Sequence, residues 1–315
     1  MSISKVLSYF VFLFSLSWLI ISFGVINYDR SINPDILNYF ENYSNAYWNY
    51  DIGYEIYVSL LRDFLHLEFE SFWICTLIII TTSFFFVNSK SICLFFLVTN
   101  FYFLAPIMGA QIRYFMAVGL FLFFVKYKDL KLIFIILLPV CFIHYGIILA
   151  YVMLFLSCRF ADDKKLNEFL RNRVVIIVVL ILGLIGVQST ITLIIPYTRF
   201  SYYLDSVYLQ GKSISSIIYA TISFCAVYYF YRKFSWRQIE KKDKVIILFA
   251  LLLTLFIVIT SPIAVLSGRY LLFYIFMEGF LASVVVKYDR KTFTILLLIS
   301  ILKWISIINQ GILTL

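Results

Sequence analysis

Three arginines stand where apolar segments meet what the charge pattern indicates is the outer face of a membrane: Arg113, Arg199 and Arg269. Basic residues normally collect in cytoplasmic loops, and a cation held at the outer membrane edge is costly. An anionic group would balance it, and the anions of this zone are lipid-linked phosphates. Arginine suits such a ligand because it binds phosphate bidentately and stays charged when partly desolvated. The three arginines therefore predict a phosphate-bearing lipid substrate at the outer face. The alternative is that they snorkel to headgroups or pair with the acidic outer loop, residues 27–71.

A histidine in an apolar stretch could supply proton transfer. His144 lies within Phe142-Ile143-His144-Tyr145-Gly146, where the helical pattern breaks inside the predicted membrane region. Such breaks are tolerated mainly where the backbone lines a cavity. A neutral imidazole there could accept a proton from a sugar hydroxyl. The alternative is a buried, hydrogen-bonded histidine with no chemical role.

Three polar residues near the predicted outer face are further candidates. Glu55 has aromatic neighbours that could stack on sugar rings, and it is the second candidate proton acceptor; the alternative is a solvated helix face. Asp35 opens a helix after Asn33-Pro34, so a capping or helix-dipole role competes with ligand binding. Gln111 precedes Arg113 by two residues and could hydrogen-bond the same ligand, unless it only ends a span.

The composition is that of an integral membrane protein. The 315 residues are 63% hydrophobic and 14% charged, with a mean hydropathy of +0.96, and apolar runs recur from end to end. We therefore expect a single integral membrane domain over residues 1–315. The two histidines and the absence of a C-x-x-C pair exclude a zinc site of known spacing, and we expect no metal and no cofactor. The net charge of +9 fits a basic cytoplasmic face, so we expect no nucleic-acid partner.

The hydrophobic pattern predicts an all-α polytopic membrane protein with about 11 transmembrane segments. Nine long spans are expected at residues 6–26, 72–88, 91–108, 112–126, 174–196, 214–231, 245–262, 269–286 and 292–310. The stretch 131–158 lies between two basic clusters and must enter and leave the membrane on one side. Each limb would have about 14 residues, or about 21 Å of helix, which is short of a full crossing. We therefore expect a short, re-entrant-like helix pair there, with His144 and Gly146 at its apex.

The distribution of charge predicts the orientation. This layout places 19 of the 26 basic residues on one side, which is then cytoplasmic, with the N-terminus inside and the C-terminus outside. The loop 27–71 lies outside and is predicted to carry surface helices. Within Tyr54–Leu67, one side of an amphipathic helix would collect apolar residues: Ile56, Leu60, Leu61, Phe64 and Leu65. Glu278 and Lys303 fall inside late spans and could pair with each other.

The order of these motifs resembles the EpsG-type branch of the Wzy polymerases. The resemblance covers about residues 27–280 and is carried by Asp35…Asn38-Tyr39, Gly53-Tyr54-Glu55, Gln111-Ile112-Arg113, Phe142-Ile143-His144, Arg199-Phe200-x-x-Tyr203 and Arg269-Tyr270-x-x-x-Tyr274. One departure is Tyr114, where the family usually has a small or polar residue after the arginine. The resemblance implies functional positions at Arg113, His144, Arg199 and Arg269 and an acidic one at Glu55, with Tyr203 and Tyr270 as further substrate-binding candidates.

The resemblance implies a glycosyltransferase that joins lipid-linked oligosaccharide repeat units into O-antigen, capsule or exopolysaccharide chains. We expect metal-independent, inverting transfer at the periplasmic face of a bacterial inner membrane, with undecaprenyl-pyrophosphate-linked oligosaccharides as substrates. Membrane lipids and a chain-length regulator protein are the other expected partners. Two alternatives stay open: a metal-dependent membrane glycosyltransferase using acids of the first outer loop, and a flippase or transporter of the same lipid-linked glycan.

Overall fold

The protein is all α-helical throughout the part of the chain that the computed structural model describes, residues 3–21, 35–89, 94–193, 197, 214–233 and 238–309. Fourteen α-helices lie in these ranges. Five helical segments there are long and apolar enough to cross a membrane: Phe69–Asn88, Tyr145–Asp162, Arg173–Thr190, Ile214–Lys233 and Ala264–Val285. The predicted all-α polytopic membrane class is confirmed, whereas the number of about 11 spans stays a prediction.

The chain divides by its internal contacts into two compact units, Met1–Val152 and Met153–Leu315. The boundary falls within one helix, and we describe each unit by itself. The expectation of a single membrane domain over residues 1–315 stays a prediction.

The first unit contains seven complete helices in the described ranges, and an eighth begins in it. They are α1 (Ile3–Leu19), α2 (Ile36–Ser44), α3 (Ile52–Ser59), α4 (Phe69–Asn88), α5 (Leu94–Ala110), α6 (Ile112–Tyr127), α7 (Ile133–Ile143) and α8 (Ile148–Asp162). Helices α4 and α6 run in the same direction, because Lys126 near the end of α6 donates hydrogen bonds to the Phe86 and Val87 carbonyls at the end of α4 (2.5 and 3.1 Å). Terminal helix carbonyls need such donors. Helix α5 runs between them in the chain, so it returns in the opposite direction.

The predicted helices of the outer loop are present. Helix α2 follows Asp35, and α3 continues into a five-residue π-helical turn at Leu60–Phe64. Ile56, Leu60 and Phe64 expose an apolar face, as expected for a helix on a membrane surface. Leu61 differs from the prediction because it is buried in the unit. Leu61 lies within the π-helical turn, which begins after Ser59.

The stretch 131–158 forms the expected pair of helices with a break at His144. Helix α7 has 11 residues, and a 3₁₀ turn at Tyr145–Ile147 leads into α8. The second limb is longer than predicted: the turn and α8 together make an 18-residue apolar segment, Tyr145–Asp162. The helix continues past residue 158, with Arg159 in its last turn, and ends at Asp162.

Gly53 lets α3 approach α7 closely. A Cβ atom at this position would lie 2.7 Å from the backbone carbon of Phe142 and 2.9 Å from the backbone nitrogen of Ile143. Only a residue without a side chain fits against backbone at such distances. The start of α3 is thereby fixed beside the end of α7, which brings Asp51 and His144 into the same region of the unit.

The second unit contains six further helices in its described ranges: α9 (Lys164–Arg171), α10 (Arg173–Leu193), α11 (Ile214–Lys233), α12 (Lys241–Ile259), α13 (Ala264–Val285) and α14 (Arg290–Asn309). Ion pairs gather basic residues at one end of it. Lys233 pairs with Asp289 at 3.2 Å, and Lys287 pairs with Asp243 at 2.7 Å. Arg269 lies near the other end of α13, about 25 Å away at the helical rise.

A buried ion pair crosses the interior of the second unit. Lys303 of α14 pairs with Glu278 of α13, and both side chains are almost fully buried. Tyr219 of α11 donates a hydrogen bond of 2.5 Å to the other oxygen of Glu278. The predicted pairing of Glu278 with Lys303 is confirmed, and the pair joins three helices.

Candidate functional site

The candidate site lies in the first unit, where α5 ends and α6 begins. Gln111 separates the two helices because its backbone (φ −102°, ψ 54°) is not helical. Its N–H donates to the carbonyl of Ile107 and its own carbonyl accepts from the N–H of Phe115, so one residue closes α5 and opens α6. The span end that the sequence predicts is therefore present, and it places Arg113 on the first turn of α6.

The guanidinium group of Arg113 is held by two hydrogen bonds. Its Nε donates to the hydroxyl oxygen of Tyr39 at 3.2 Å, and one terminal nitrogen donates to Oδ2 of Asp51 at 2.9 Å. The side chains of Arg113 and Asp51 are 22% and 15% exposed. A cation this far removed from water is stabilised by the adjacent carboxylate, and its remaining N–H groups can still meet a further anion.

Aromatic rings surround the same guanidinium. Its central carbon lies 4.0 Å from the ring centroid of Tyr50 and 5.7 Å from those of Tyr39 and Tyr54. Each ring face attracts the cation through its quadrupole. Tyr39 also packs edge-on against Trp73 of α4, which fixes the ring in turn. Arg113 is therefore held in one orientation by rings from the outer loop.

These phenols stay neutral at ordinary pH. Burial raises the pKa of Tyr39, even though the neighbouring Arg113 cation lowers it. Burial also raises the pKa values of Tyr50 and Tyr54. The charges at the centre of the site are thus those of Arg113 and Asp51, and the tyrosines contribute ring faces and hydroxyl groups.

Asp51 is a candidate site residue that the sequence reasoning did not name. It occupies the N-cap position of α3, yet its side chain makes no capping hydrogen bond. Its Oδ2 accepts from Arg113, and its Oδ1 accepts from the backbone N–H of Tyr145 at 3.4 Å. The carboxylate therefore joins α3, α6 and the break after α7. The alternative that an outer arginine pairs with the acidic outer loop is confirmed for Arg113, but the sequence pattern did not single out Asp51 among the acids of that loop.

His144 lies at the helix break, next to the first turn of α6. Its backbone is extended (φ −151°, ψ 111°), and its Nδ1 accepts a hydrogen bond from the N–H of Gly146 at 3.0 Å. In the neutral ring this acceptor leaves the proton on Nε2. The ring centroid lies 5.3 Å from that of Tyr114, the residue after Arg113. The structure thus places His144 beside the arginine site, while its predicted catalytic role stays a prediction.

Glu55 is buried in the outer loop and fully engaged there. Asn42 donates to both of its carboxylate oxygens at 3.1 and 3.2 Å, and the backbone N–H of Tyr50 donates to Oε1 at 2.9 Å. Its side chain is not on a solvated helix face, since the residue is only 2% exposed. The geometry gives Glu55 a structural task, which is to hold the loop carrying Tyr50 and Asp51. Its predicted catalytic role stays a prediction.

The other predicted site residues fall in different places. Asp35 stands at the N-cap position of α2 without a capping hydrogen bond from its side chain. Arg269 lies on the exposed side of α13, and Tyr270 beside it is buried with its ring 5.0 Å from that of Phe256. Arg199 and Tyr203 lie outside the described residues. Because Arg113 and Arg269 belong to different units, their predicted convergence on one ligand stays a prediction.

A small cavity in the second unit has Gly268, the residue before Arg269, in its lining. Its volume is about 180 Å³, and its lining includes Ser216, Ser261, Ser267 and Gly268. Hydroxyl groups of this kind can hydrogen-bond phosphate or sugar oxygens. No group of three or more His, Cys, Asp or Glu side chains placed to hold a metal ion occurs among the described residues.

The family model of the EpsG family matches residues 7–313, nearly the whole chain. This protein belongs to the EpsG family. No curated protein and no solved structure matches the chain significantly. Membership supports a role of the polysaccharide-polymerase kind, and the apolar helices support a multi-pass membrane protein. The resemblance read from the order of the motifs is thereby confirmed.

Proposed function

We propose that this EpsG-family protein is a polysaccharide polymerase of the bacterial inner membrane. It joins undecaprenyl-pyrophosphate-linked oligosaccharide repeat units at the periplasmic face by metal-independent, inverting glycosyl transfer. The growing chain is the donor and a single lipid-linked repeat unit is the acceptor. The observation that carries the proposal is the Arg113 guanidinium, oriented by three tyrosine rings and Asp51 beside the helix break at His144.

Arg113 has the properties of a group that binds a diphosphate leaving group. It is partly desolvated, so its charge acts in a medium of lower dielectric than water. It is held in place by Tyr39 and Asp51, so little reorganisation is needed when charge develops on the ligand. Arg199 and Arg269 keep their predicted roles as further phosphate ligands. Gln111, two residues before Arg113, and Tyr270, directly after Arg269, keep theirs as further substrate contacts.

The chemistry needs one bond made and one broken. The hydroxyl oxygen of the acceptor sugar bonds to the anomeric carbon of the donor, and the bond from that carbon to the diphosphate oxygen breaks. The electron pair leaves with the lipid diphosphate, whose added charge Arg113 stabilises. The hydroxyl proton passes to His144, at Nδ1, which must first release the N–H of Gly146. Glu55 holds the loop that positions Asp51.

The test is polymer formation by the full-length protein in a strain lacking the chromosomal copy. Arg113→Ala and Arg269→Ala should abolish long-chain polymer while the protein remains in the membrane. The matched control is Arg62→Ala, which removes an outer-loop arginine that pairs with the exposed Asp63. Full chain length in both test variants would refute the assignment.

The alternatives give different results in the same strain. A polymerase defect leaves single lipid-linked repeat units on the outer leaflet, whereas a flippase defect leaves them on the inner leaflet. Purified protein should keep its activity in EDTA. Loss of activity in EDTA, with recovery on adding a divalent cation, would instead support the metal-dependent glycosyltransferase.

A further inference from the structure

An open apolar groove runs along the first unit beside the Arg113 site. It has a volume of about 610 Å³. Its walls come from three helices: Ile52, Gly53 and Ile56 of α3, Phe124 of α6, and Ile136, Pro139, Val140, Phe142 and Ile143 of α7. None of these side chains carries a charge or a hydrogen-bonding group. The groove therefore suits a hydrocarbon chain and does not suit a sugar, which would need polar partners.

One end of the groove joins the polar site. Ile52 and Gly53 follow Asp51 directly, and Phe142 and Ile143 precede His144 directly. The close approach of α3 to α7 at Gly53 closes this end of the groove. Asp51 and His144 thus mark the place where apolar lining gives way to charge, and Arg113 binds Asp51 there.

The groove extends from that end into the membrane-spanning part of the unit. Ile136 lies seven residues before Ile143 on α7, which is about 10 Å at the helical rise. Phe124 lies eleven residues after Arg113 on α6, or about 16 Å. Val140 is buried, while Ile56 and Phe142 are exposed, so the groove is open along its side. A chain could therefore enter laterally from the bilayer.

We propose that this groove binds the polyprenyl chain of the lipid diphosphate whose head group binds Arg113. The inference rests on the proposed function and adds to it the place where the lipid tail lies. Arg113 selects the occupant through the guanidinium N–H groups that do not bind Tyr39 or Asp51, because these can donate charge-assisted hydrogen bonds to the oxygens of a lipid diphosphate. An ordinary phospholipid tail is the competing occupant, and the experiment distinguishes the two.

The test is photolabelling of the full-length protein in phosphatidylcholine nanodiscs. The probe is a polyprenyl diphosphate that carries a diazirine near its head group, and adducts are mapped by mass spectrometry. We expect adducts on residues 52–56 of α3 and 136–143 of α7. Arg113→Ala should lower this labelling about tenfold, the effect of losing one charge-assisted contact. Phosphatidylcholine with the same diazirine should instead label lipid-facing positions such as Ile135.

A matched pair of substitutions tests the groove itself. Ile136→Trp fills it, whereas Ile135→Trp places the same side chain on the exposed side of α7, outside the groove. Labelling should fall at least about fivefold in the first variant and stay unchanged in the second. If Ile136→Trp fails to fold, Ile56→Trp fills the groove from an exposed position on α3. Equal labelling by both lipids, or unchanged labelling in the filled variants, would overturn the proposal.

A separate measurement keeps this inference apart from the proposed function. Polymer formation from lipid-linked repeat units is measured with the same preparations. If the groove is labelled but the protein does not polymerise the repeat units, the proposed function is contradicted and the lipid site is still supported. Polymerisation by wild type together with an unlabelled groove would overturn the lipid site and leave the function standing.

Discussion

At the scale of single residues, the site depends on how Arg113 is held. One carboxylate and three phenol rings fix a guanidinium that carries the proposed phosphate contact. The aromatic rings attract the guanidinium without adding negative charge to the site. A cluster of acids in their place would repel an anionic ligand. A substrate phosphate and Asp51 would both bind the guanidinium of Arg113. They can do so together because Asp51 uses only one of its nitrogens.

We predict that Asp51→Asn weakens both stability and activity. The change leaves a partly buried cation without its counterion and should cost about 1–3 kcal/mol of unfolding free energy. Polymer length should fall as Arg113 loses its orientation. Thermal unfolding and gel analysis of the polymer check the two effects. Asp63→Asn is the control, because Asp63 is 58% exposed and pairs with Arg62 at the surface; equal effects in both variants would argue against a special role for Asp51.

We predict that His144→Asn folds normally and is inactive. The asparagine oxygen can accept the N–H of Gly146 in place of Nδ1, as in an Asx turn, but it cannot take a proton. Loss of a proton acceptor typically lowers the rate about 10²- to 10⁴-fold. The rate and its pH profile in purified protein provide the measurement. His66→Asn changes the other histidine, which is exposed, and wild-type activity is expected there.

At the scale of helices, polar groups inside the membrane region are paired across elements. Glu278 of α13 binds Lys303 of α14 and the hydroxyl of Tyr219 of α11. This pairing could be predicted from the sequence, because each charge lies in an apolar span where it needs a partner. Glu55 behaves similarly in the outer loop, where Asn42 and the Tyr50 backbone satisfy its oxygens. Both acids therefore connect helices to their neighbours.

We predict that Lys303→Met destabilises the second unit strongly. Removing one partner leaves Glu278 buried and unpaired, at a cost of about 3–5 kcal/mol. The double variant Glu278→Gln with Lys303→Met should recover most of that loss, because neither charge remains. Thermal unfolding in detergent measures the difference. The control Lys291→Met, at the exposed start of the same helix, should change the unfolding temperature little. A double variant as unstable as Lys303→Met would contradict the explanation by an unpaired buried charge.

At the scale of the whole molecule, the predicted orientation follows from where charges lie within each unit. In the first unit, Arg113 lies on the first turn of α6, and Lys126 near the other end of α6 donates to the terminal carbonyls of α4. In the second, Lys233 and Lys287 lie in ion pairs at the end of α13 opposite Arg269. In each unit these paired lysines thus lie far along the helix from the candidate arginine, which is the distribution that the rule of basic cytoplasmic loops predicts.

We predict that position 47 faces the outside and position 128 the cytoplasm. Tyr47 is exposed before α3, and Lys128 is exposed after α6. The test uses single cysteines at these positions in a protein whose five native cysteines are replaced. A cysteine at position 47 should react with an impermeant maleimide in intact spheroplasts. A cysteine at position 128 should react only after the spheroplasts are permeabilised. The reverse pattern would contradict the orientation and place Arg113 at the cytosolic face.

Much of the molecule could be predicted from local properties of the sequence. Apolar runs of helix length predict the spans, since the backbone must satisfy its own hydrogen bonds in lipid. The break at His144 and the start of α6 at Gln111 also agree with the local pattern. The second helix of the pair was predicted too short, because the basic cluster that begins at Arg159 was taken to end the membrane segment, whereas the helix continues to Asp162.

The sequence by itself determined the membrane class, the family and the positions of the candidate arginines and of His144. Only the tertiary structure decided that Asp51 is the counterion of Arg113 and that Glu55 is enclosed in the loop. Hydropathy and charge are properties of short segments, whereas Asp51 and Arg113 are 62 residues apart. Which acid reaches which cation depends on how the helices pack, and here the decisive contact is the backbone of α7 against Gly53.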